Sequence, residues 1–431
     1  MQLCVFLPEE EFTVGMNNLI GRLKNSLNYY CILFEGIFNI LGTDILGMAT
    51  IIPLFLADFG AGTGLIGSLT TINSIIGAIM PLIAGSFIAA AASKRKVSLL
   101  FNGVSRGLIL VIPVVLLMGL SNSMVIAIFF AVMLVYFICQ PVAGISWNYL
   151  LGDCVDAQKR GKLMGTLFAI SGFITFASSN IIRLIRGNEG INQSQKYALI
   201  FALAGVFLSA SVLCFVPLKE KSVGKAKREE LSTKAYISTL LICFKNKDFV
   251  RLLFANGFSQ VSTLINAFIY VYAQNTLKLS VGEISNLLII QTVGIILGGL
   301  ITGRVSSRFG TKRLLILVES IGLSIPLLEL ASSQVSSFAA IAIAVFLLGF
   351  SKSGYMGYQI HLLELVPSDK SIYHLVSKSL ALLPISFVSV GVGLYMEYFP
   401  VRNIFIAQIC ICLIAVFCTT RLKSIVYKNQ D

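Results

Sequence analysis

Long apolar runs, each separated from the next by a short polar segment, repeat along the whole chain. They lie near residues 30–56, 64–88, 97–118, 124–149, 163–183 and 197–217, and then near 250–274, 282–303, 313–333, 335–366, 373–396 and 401–421. A run of about 20 apolar residues spans a bilayer, and it must be helical because lipid offers the backbone no hydrogen-bond partner. The pattern therefore predicts an all-α integral membrane protein with twelve transmembrane helices.

A charged stretch divides the twelve runs into two sets of six. We predict a cytoplasmic N-terminal segment over 1–29, a six-helix bundle over 30–217, a cytoplasmic linker over 218–249, a second six-helix bundle over 250–421 and a cytoplasmic tail over 422–431. The linker includes an amphipathic stretch that we expect to lie as a helix on the membrane surface. Its apolar residues are Leu231, Tyr236, Leu240, Leu241 and Phe244. We interpret the linker as a tether between the bundles, with a regulatory role as the alternative.

The composition and the placement of charge agree with this interpretation. The chain is 56% hydrophobic and 12% charged, whereas an average soluble domain is about a quarter charged. Loops on the side of the N-terminus hold 25 of the 33 Lys and Arg residues, and loops on the other side hold 5. Cytoplasmic loops carry the excess of Lys and Arg, so both termini are predicted to be cytoplasmic. This placement accounts for the net charge of +13 without nucleic acid as a partner.

Residue patterns that indicate catalysis or metal binding do not occur in the sequence. The nine cysteines form no Cys-x-x-Cys pair, and the two histidines, His361 and His374, are isolated. The chain also has no His-Glu-x-x-His and no Gly-x-Ser-x-Gly sequence. We therefore predict that the protein is not an enzyme, with no catalytic residues, no metal site and no cofactor.

The turn between the eighth and ninth runs carries a recognisable sequence. It reads Gly303-Arg-Val-Ser-Ser-Arg-Phe-Gly-Thr-Lys-Arg313. This segment resembles the loop signature of the major facilitator superfamily, with Ser307 where that signature usually has an aspartate. Asp153 and Arg160 are similar to the acid-x6-Arg pattern that follows the fourth span in that family. The two halves also resemble repeats of one another, because residues 147–159 match residues 358–370.

The resemblance implies two pseudo-symmetric six-helix bundles that expose a central site alternately to each side. It also implies a gating role for loop residues at the cytoplasmic ends of the spans. These residues are Gly303, Arg304, Arg308, Gly310, Lys312, Arg313, Glu364, Asp153 and Arg160. Among them, we expect Glu364 to meet Arg304 or Arg308 when the cytoplasmic side is closed.

Polar residues recur at helical spacing along the first, fourth, seventh and tenth spans, the four that line the cavity in this superfamily. A polar group in a span is costly and invites a functional explanation, although hydrogen bonding between helices is the alternative for each single residue. The candidate substrate ligands are Lys352, Tyr355, Gln359, Asn256, Gln260, Thr263, Asn266, Tyr136, Gln140 and Asn39.

Two deep cations have different expected roles. Lys352 lies about 15 Å from the cytoplasmic end of its span at 1.5 Å per residue, too deep to reach the interface easily. It either binds an anionic group of the substrate or forms half of a structural ion pair. Arg106 lies at similar depth in the third span, at the periphery of this fold, and a structural pair with Asp44 is the favoured explanation.

Glu35 and Asp44 are the candidate proton-coupling acids. They are nine residues apart, which places them on opposite faces of one helix. Glu35 is favoured because it shares a face with Asn39. For the other charged residues of the spans we expect smaller roles. Glu319 would offset the positive charge of the basic turn, and Lys378 would extend its ammonium group to the interface.

Together these expectations describe a proton-coupled secondary transporter of a small organic solute that works by alternating access. We predict a multi-pass protein of the cell membrane that functions as a monomer, with lipid and a small-molecule substrate as its partners and an anionic substrate left open. A drug or toxic-metabolite exporter of the same fold is one alternative, although the fifth span lacks the Gly-Pro motif common in such exporters. A non-transporting membrane scaffold or receptor is the other.

The topology is testable by cysteine labelling in a background without native cysteines. A thiol reagent that does not cross membranes should leave Lys225→Cys unlabelled in intact cells and label it after permeabilisation, because the linker is expected in the cytoplasm. Lys278→Cys, in a loop on the opposite side, should be labelled in intact cells. Labelling of position 225 from outside would overturn the topology.

Overall fold

The computed structural model describes residues 9–424 except 49, 221–232, 336–337, 368–369, 389–390, 393–394 and 396–397. Over these residues the chain consists of helices joined by short turns, and the described part has no strand. Leu231 and the charged opening of the linker after Glu220 lie outside the described residues, as does the tail from residue 425.

Eight helices build the N half, and two of the six predicted spans are broken into two helices each. The helices are α1 (Glu9–Leu46), α2 (Ile51–Asp58), α3 (Thr63–Ala90), α4 (Lys94–Leu108), α5 (Val111–Leu117), α6 (Asn122–Cys154), α7 (Ala157–Gly187) and α8 (Gln193–Leu213). The first span consists of α1 and α2, and the third consists of α4 and α5. Helix α1 also extends back into the predicted N-terminal segment, where it begins at Glu9.

The C half follows a short linker helix. The helices are α9 (Thr233–Cys243) in the linker, then α10 (Lys247–Ile265), α11 (Ile269–Asn275), α12 (Val281–Phe309), α13 (Thr311–Val335), α14 (Phe338–Gly354), α15 (Gly357–Leu365), α16 (Ser371–Leu382) and α17 (Val401–Thr420). A 3-10 turn, Asn266–Phe268, joins α10 to α11, and another, Leu383–Phe387, follows α16.

Ten helical stretches of the described chain are long and apolar enough to cross a membrane by themselves. The other two predicted spans, the seventh and the eleventh, are the ones that a 3-10 turn interrupts. A 3-10 segment breaks the regular i to i+4 hydrogen bonding, so each of these spans is assembled from shorter helical pieces.

The basic turn between α12 and α13 has the geometry that its sequence predicts. Gly310 ends α12 with φ 85°, a left-handed conformation that glycine adopts without a Cβ clash. Helix α13 begins at the next residue, Thr311. We call the end of the bundle at which residues 94–96 and 304–313 lie the basic end.

The two halves meet along a seam of glycines between α7 and α12. A Cβ on Gly165 would lie 2.5 Å from the Cα of Gly303 and 2.5 Å from the carbonyl oxygen of Gly299. A Cβ on Gly161 would likewise overlap the side chain of Ser306. Small residues let two helix backbones approach this closely, and van der Waals packing then holds them together in lipid. We call this contact the glycine seam.

Apolar side chains close the space between the halves at the basic end. Ile360 and Leu363 of α15 pack in one buried cluster with Leu150 and Leu151 of α6 and Leu163 of α7. A second buried cluster joins Ile372 and Val376 of α16 to residues of α3 and α6, among them Ile88 and Tyr149. The tenth and eleventh spans therefore seal this end against the second, fourth and fifth.

The linker helix α9 inserts into this closed end instead of lying on the membrane surface. Tyr236 is only 3% exposed, and its hydroxyl occupies the place that a Cβ on Gly85 would need. On the other side, the Ser377 hydroxyl of α16 donates a 3.1 Å hydrogen bond to the carbonyl of Leu240. We call α9 the wedge, because it touches α3 of one half and α16 of the other.

The surface position expected for all the apolar linker residues is therefore wrong for Tyr236 and Leu240, which are buried in the protein. Burial also raises the pKa of the Tyr236 hydroxyl. The opposite face of the wedge keeps the predicted exposure. It carries the exposed residues Ile237, Leu241, Ile242 and Phe244.

The glycine seam predicts a large difference between two alanine substitutions. Gly165→Ala forces a methyl group against the backbone of α12, and overpacking of this kind costs about 1–3 kcal/mol. The matched control is Gly77→Ala in α3, where an added Cβ meets nothing within 4 Å. A helical Gly→Ala change at an open site gains up to about 1 kcal/mol. Thermal unfolding of the purified protein should show a lower Tm for the first variant only, and equal Tm values would contradict the seam.

Candidate functional site

A cavity of about 420 Å³ lies inside the N half. Its wall consists of residues of α1, α4, α6 and α7, together with Met356 from the break between α14 and α15 of the C half. The polar side chains that line it are Glu35, Asn39, Asn102, Arg106, Gln140, Trp147, Asn148 and Ser171. The cavity is therefore shared by helices of the first, third, fourth and fifth spans.

A buried ion pair forms part of the cavity wall. The Arg106 guanidinium lies 2.8 Å from a carboxylate oxygen of Glu35, and the two side chains are 5% and 3% exposed. Arg106 also donates a hydrogen bond to the hydroxyl of Ser211 in α8. The Trp147 indole donates a 2.7 Å hydrogen bond to the second oxygen of Glu35. We call these four residues the N-half cluster.

The expected pairing of Arg106 with Asp44 is wrong. Asp44 lies on the opposite face of α1 from Glu35, and its carboxylate accepts a 2.6 Å hydrogen bond from Thr175 of α7. An arginine on α4 therefore reaches the acid that faces the bundle interior. A buried cation without a counter-charge costs several kcal/mol, which accounts for this choice of partner.

The other N-half candidates divide between the cavity and the core. Asn39 and Gln140 line the cavity, and the Gln140 amide donates a 3.3 Å hydrogen bond to Ser105. Tyr136 is 7% exposed and belongs to the main apolar cluster of the N half instead. The polar stripe on the fourth span thus begins one turn after Tyr136, at Gln140. Periodicity alone does not show where such a stripe enters the cavity.

Three candidates of the C half come together on α10 and at the break before α15. The Tyr355 hydroxyl donates a 3.2 Å hydrogen bond to the side-chain oxygen of Asn256. The Gln260 amide lies 3.4 Å from the same oxygen. The Asn256 amide nitrogen is buried and has no hydrogen-bond partner in the described part of the chain, so this group retains an unused donor.

Two further candidates of the seventh span serve the helices themselves. The Thr263 hydroxyl of α10 donates a 2.9 Å hydrogen bond to the carbonyl of Ser259 one turn earlier. Asn266 lies in the 3-10 turn after α10, and its side-chain oxygen accepts a 2.6 Å hydrogen bond from Gln408 of α17. For Asn266, hydrogen bonding between helices is therefore the structural role that the coordinates show.

Two lysines of the C half have no carboxylate partner among the described residues. Lys352 lies in the last turn of α14 with an exposed side chain, one turn before Tyr355. Lys378 of α16 donates a 2.9 Å hydrogen bond to the side-chain oxygen of Gln359 in α15. Lys378 therefore does not snorkel to the interface as expected, because its ammonium group is held between two spans.

The expected gate carboxylate does meet the basic turn, but through a hydroxyl. Glu364 accepts a 2.5 Å hydrogen bond from Thr311, the first residue of α13. The same hydroxyl lies 3.0 Å from a ring nitrogen of His361. The Arg304 guanidinium donates within its own helix to the carbonyl of Leu300, and that of Arg308 lies over the Phe309 ring. Glu364 therefore meets the basic turn through Thr311, and its pairing with Arg304 or Arg308 stays a prediction.

The remaining gate candidates lie at the basic end. Arg313 lies over the Phe309 ring at 5.8 Å, and Lys312 precedes it in the first turn of α13. In the N half, Arg160 donates hydrogen bonds to the carbonyls of Gly152 and Val155 and so closes the end of α6. Asp153 is 5% exposed in the same last turn. Their gating role stays a prediction.

A second buried acid, Glu319, was not expected at a site. One of its oxygens accepts hydrogen bonds of 2.6 Å from Ser259 and 2.9 Å from Tyr358. The Tyr358 hydroxyl also lies 3.1 Å from the hydroxyl of Thr419 in α17. Glu319 therefore faces the interior of the C half and does not answer the basic turn. Within the described residues, no group of three or more His, Cys, Asp or Glu side chains could hold a metal ion.

Comparison with known proteins identifies the architecture. A sequence model of the Major Facilitator Superfamily matches residues 32–371. No curated protein sequence matches the chain significantly.

Solved structures of transporters share the fold at low sequence identity. A bacterial homologue of the iron transporter ferroportin, in an outward-facing state, superposes with a TM-score of 0.73 at 12% identity over 91% of this chain and 98% of that one. The fucose:proton symporter of E. coli gives 0.72 at 11% identity over 93% and 100%. A proton:xylose symporter gives 0.68 at 14% identity over 92% and 95%. These similarities establish the twelve-helix transporter fold.

The N-half cluster predicts how two acids of one helix differ. Glu35→Gln leaves the Arg106 guanidinium buried without a counter-charge, which costs about 3–5 kcal/mol. The matched control, Asp44→Asn, loses one hydrogen bond to Thr175, worth about 0.5–1.5 kcal/mol. Thermal unfolding should show the larger loss of Tm for Glu35→Gln. Adding Arg106→Met should recover part of it, and a larger loss for Asp44→Asn would contradict the assignment.

Proposed function

Because the chain belongs to the major facilitator superfamily, we propose that it is a proton-coupled secondary transporter of a small organic anion. The substrate would bind between the two halves, which expose the site alternately to each side of the membrane. The observation that carries the anionic character is the presence of three basic residues within the spans, Arg106, Lys352 and Lys378.

Only one of these three cations is paired with a carboxylate in the described part of the chain. Glu35 neutralises Arg106, whereas the two lysines have no carboxylate partner in the described part of the chain. A cation within a membrane span is costly unless an anion accompanies it, so a bound carboxylate or phosphate would relieve this cost. Asn256, with its unused amide donor, adds a neutral hydrogen bond to the same wall. These features support an anionic solute over a neutral one.

The ion pair of the N half supplies a route for proton coupling. An anionic group that enters the cavity competes with Glu35 for the Arg106 guanidinium. Once the substrate engages that cation, the Glu35 carboxylate loses its counter-charge, and loss of a nearby positive charge favours the protonated form. Substrate binding and proton uptake would then favour each other. Asp44, which is bonded to Thr175, is the second candidate for this role.

We assign the basic end to the cytoplasmic side of the cell membrane, because cytoplasmic loops are rich in Lys and Arg. Both termini and the linker then lie in the cytoplasm.

The apolar clusters that close the basic end would make this an outward-facing arrangement. Opening to the cytoplasm requires that Leu363 of the C half leave Leu150 of the N half. The glycines of the seam have no side chains that would resist rocking. The seam is therefore suited to be the axis about which the two halves rotate. We expect the protein to function as a monomer.

A thermal-shift screen tests the anionic substrate directly. The purified protein is heated with monocarboxylates, dicarboxylates and phosphorylated sugars, and with neutral sugars for comparison. A ligand at 100 times its Kd stabilises the protein by about 2.7 kcal/mol. We expect an anion to raise the Tm of the wild type and to have a much smaller effect on Lys352→Gln and Lys378→Met.

Lys245→Gln is the matched control, because Lys245 is exposed in the linker and should respond like the wild type. Proteoliposomes loaded with the same anion then test coupling. An imposed inward proton gradient should drive uptake by the wild type, and Glu35→Gln should exchange substrate without responding to the gradient. Stabilisation by a neutral sugar and by none of the anions would overturn the proposed substrate class.

A further inference from the structure

The two halves carry the same buried cluster at equivalent helices. In the N half, Glu35, Arg106, Trp147 and Ser211 lie on the first, third, fourth and sixth spans. In the C half, the hydrogen-bonded set lies on the seventh, ninth, tenth and twelfth spans, and it consists of Ser259, Glu319, Tyr358 and Thr419. Each member therefore has a counterpart on the equivalent span of the other half. We call the second set the C-half cluster.

The charged groups of the two clusters differ at two positions. Arg106 on the third span corresponds to Glu319 on the ninth, and Glu35 on the first corresponds to Ser259 on the seventh. The N-half cluster therefore contains one cation and one anion, whereas the C-half cluster contains one carboxyl group and three hydroxyls. Glu319 is 6% exposed, and no cation forms an ion pair with it in the described part of the chain.

Helix α13 also carries a second buried acid, Glu329, about 15 Å further along at 1.5 Å per residue. Glu329 is 1% exposed, and neither of its carboxyl oxygens has a hydrogen-bond partner among the described residues. An isolated carboxylate in an apolar interior is so costly that the group takes a proton instead. Glu329 is therefore held as a neutral acid.

Glu319 differs from Glu329 in having donors. The hydroxyls of Ser259 and Tyr358 both donate to the same oxygen. Hydrogen bonds to a carboxylate favour its charged form, while burial without a cation favours its neutral form. These two effects oppose each other at Glu319. The donors occupy one carboxyl oxygen, and the second oxygen is the place for a proton.

The titratable groups around the two acids are few. Tyr358 of α15 bonds directly to Glu319, and Tyr355 lies just before the same helix. Cys412 of α17 lies within electrostatic range of both acids, and its sulfur lies 3.1 Å from the Ser262 hydroxyl. Near Glu329, the Tyr272 hydroxyl of α11 lies 3.3 Å from that of Ser332. None of these groups carries a positive charge.

The helix that supplies the Tyr358 donor is also the helix that closes the basic end. Leu363 of α15 packs with Leu150 in the N half, and Glu364 bonds to Thr311. The chain breaks at Met356, just before α15, so this short helix has an independent end. A movement of α15 that opens the basic end therefore also moves Tyr358 relative to Glu319.

We propose that Glu319 is a proton-binding site whose occupancy is linked to opening of the basic end through α15. In the closed arrangement, Tyr358 holds its hydrogen bond, and the proton on the free oxygen of Glu319 exchanges with water of the central space. When α15 withdraws, the carboxylate loses a donor and binds its proton more tightly. Only the link to the gate rests on the proposed transport function, because proton binding at Glu319 does not require a substrate.

Infrared difference spectroscopy tests the site without a substrate. A neutral carboxylic acid has a carbonyl-stretch band that disappears when the group ionises. In the purified protein in lipid, we expect a band that titrates with pH and is absent in Glu319→Gln. Glu329→Gln should instead remove a band that does not titrate. Glu283→Gln is the exposed control, because hydrogen bonds from the backbone and the hydroxyl of Ser280 lower the pKa of Glu283 and keep it ionised.

A second variant tests the link through α15 and keeps the proposal falsifiable if Glu319→Gln fails to fold. Tyr358→Phe removes one donor to the carboxylate, so the titrating band should persist to higher pH by about one unit. Thr263→Ser, whose hydroxyl serves its own helix, should leave the midpoint unchanged. A pH-titrating band that survives Glu319→Gln would overturn the proposal, as would a midpoint that does not move in Tyr358→Phe. A sodium-dependent band in place of the pH-dependent one would assign the site to a metal cation and also overturn it.

Discussion

A polar group inside the bilayer has only the protein as a partner, and this constraint shapes each half of the molecule. The Arg106–Glu35 pair draws α1 and α4 together, and Trp147 and Ser211 bring α6 and α8 to the same point. Four spans of the N half thus converge on one buried charge pair. Apolar packing between helices in lipid does not by itself select such a point, since lipid tails are as apolar as the side chains. The polar contacts therefore specify which helices meet and at what depth.

The same constraint explains which features the sequence predicts well. The positions of the apolar runs and the place of the basic turn follow from local chemistry, and the sequence predicts both. The resemblance to the superfamily, carried by the basic turn and by Asp153 with Arg160, predicted the twelve-helix architecture that the family match confirms. The 3-10 turns that interrupt two spans could not be predicted, because the mean hydropathy of an apolar run is the same whether or not its helix is interrupted. The sequence around Gly303 does not show that α7 of the other half packs closely against it.

The partners of buried polar groups depend on geometry that one-dimensional periodicity does not contain. Arg106 was assigned to the wrong acid, since a helical wheel places Glu35 and Asp44 on opposite faces without showing which face meets α4. Asn266 looked like a cavity residue by spacing, yet a glutamine on α17 lies opposite it. Glu319 was explained by its neighbours in sequence, although its hydrogen-bond partners, Ser259 and Tyr358, come from two other helices. The role of the candidate ligands as substrate contacts remains a prediction for the same reason.

The wedge has a consequence for how the halves find each other. The Tyr236 side chain of the linker helix fills the space above Gly85 in α3 of the N half. A side chain that fits one such space fixes the relative position of the two halves, whereas a contact made by glycines alone permits them to slide. The linker helix between the bundles therefore helps to set how the two halves align.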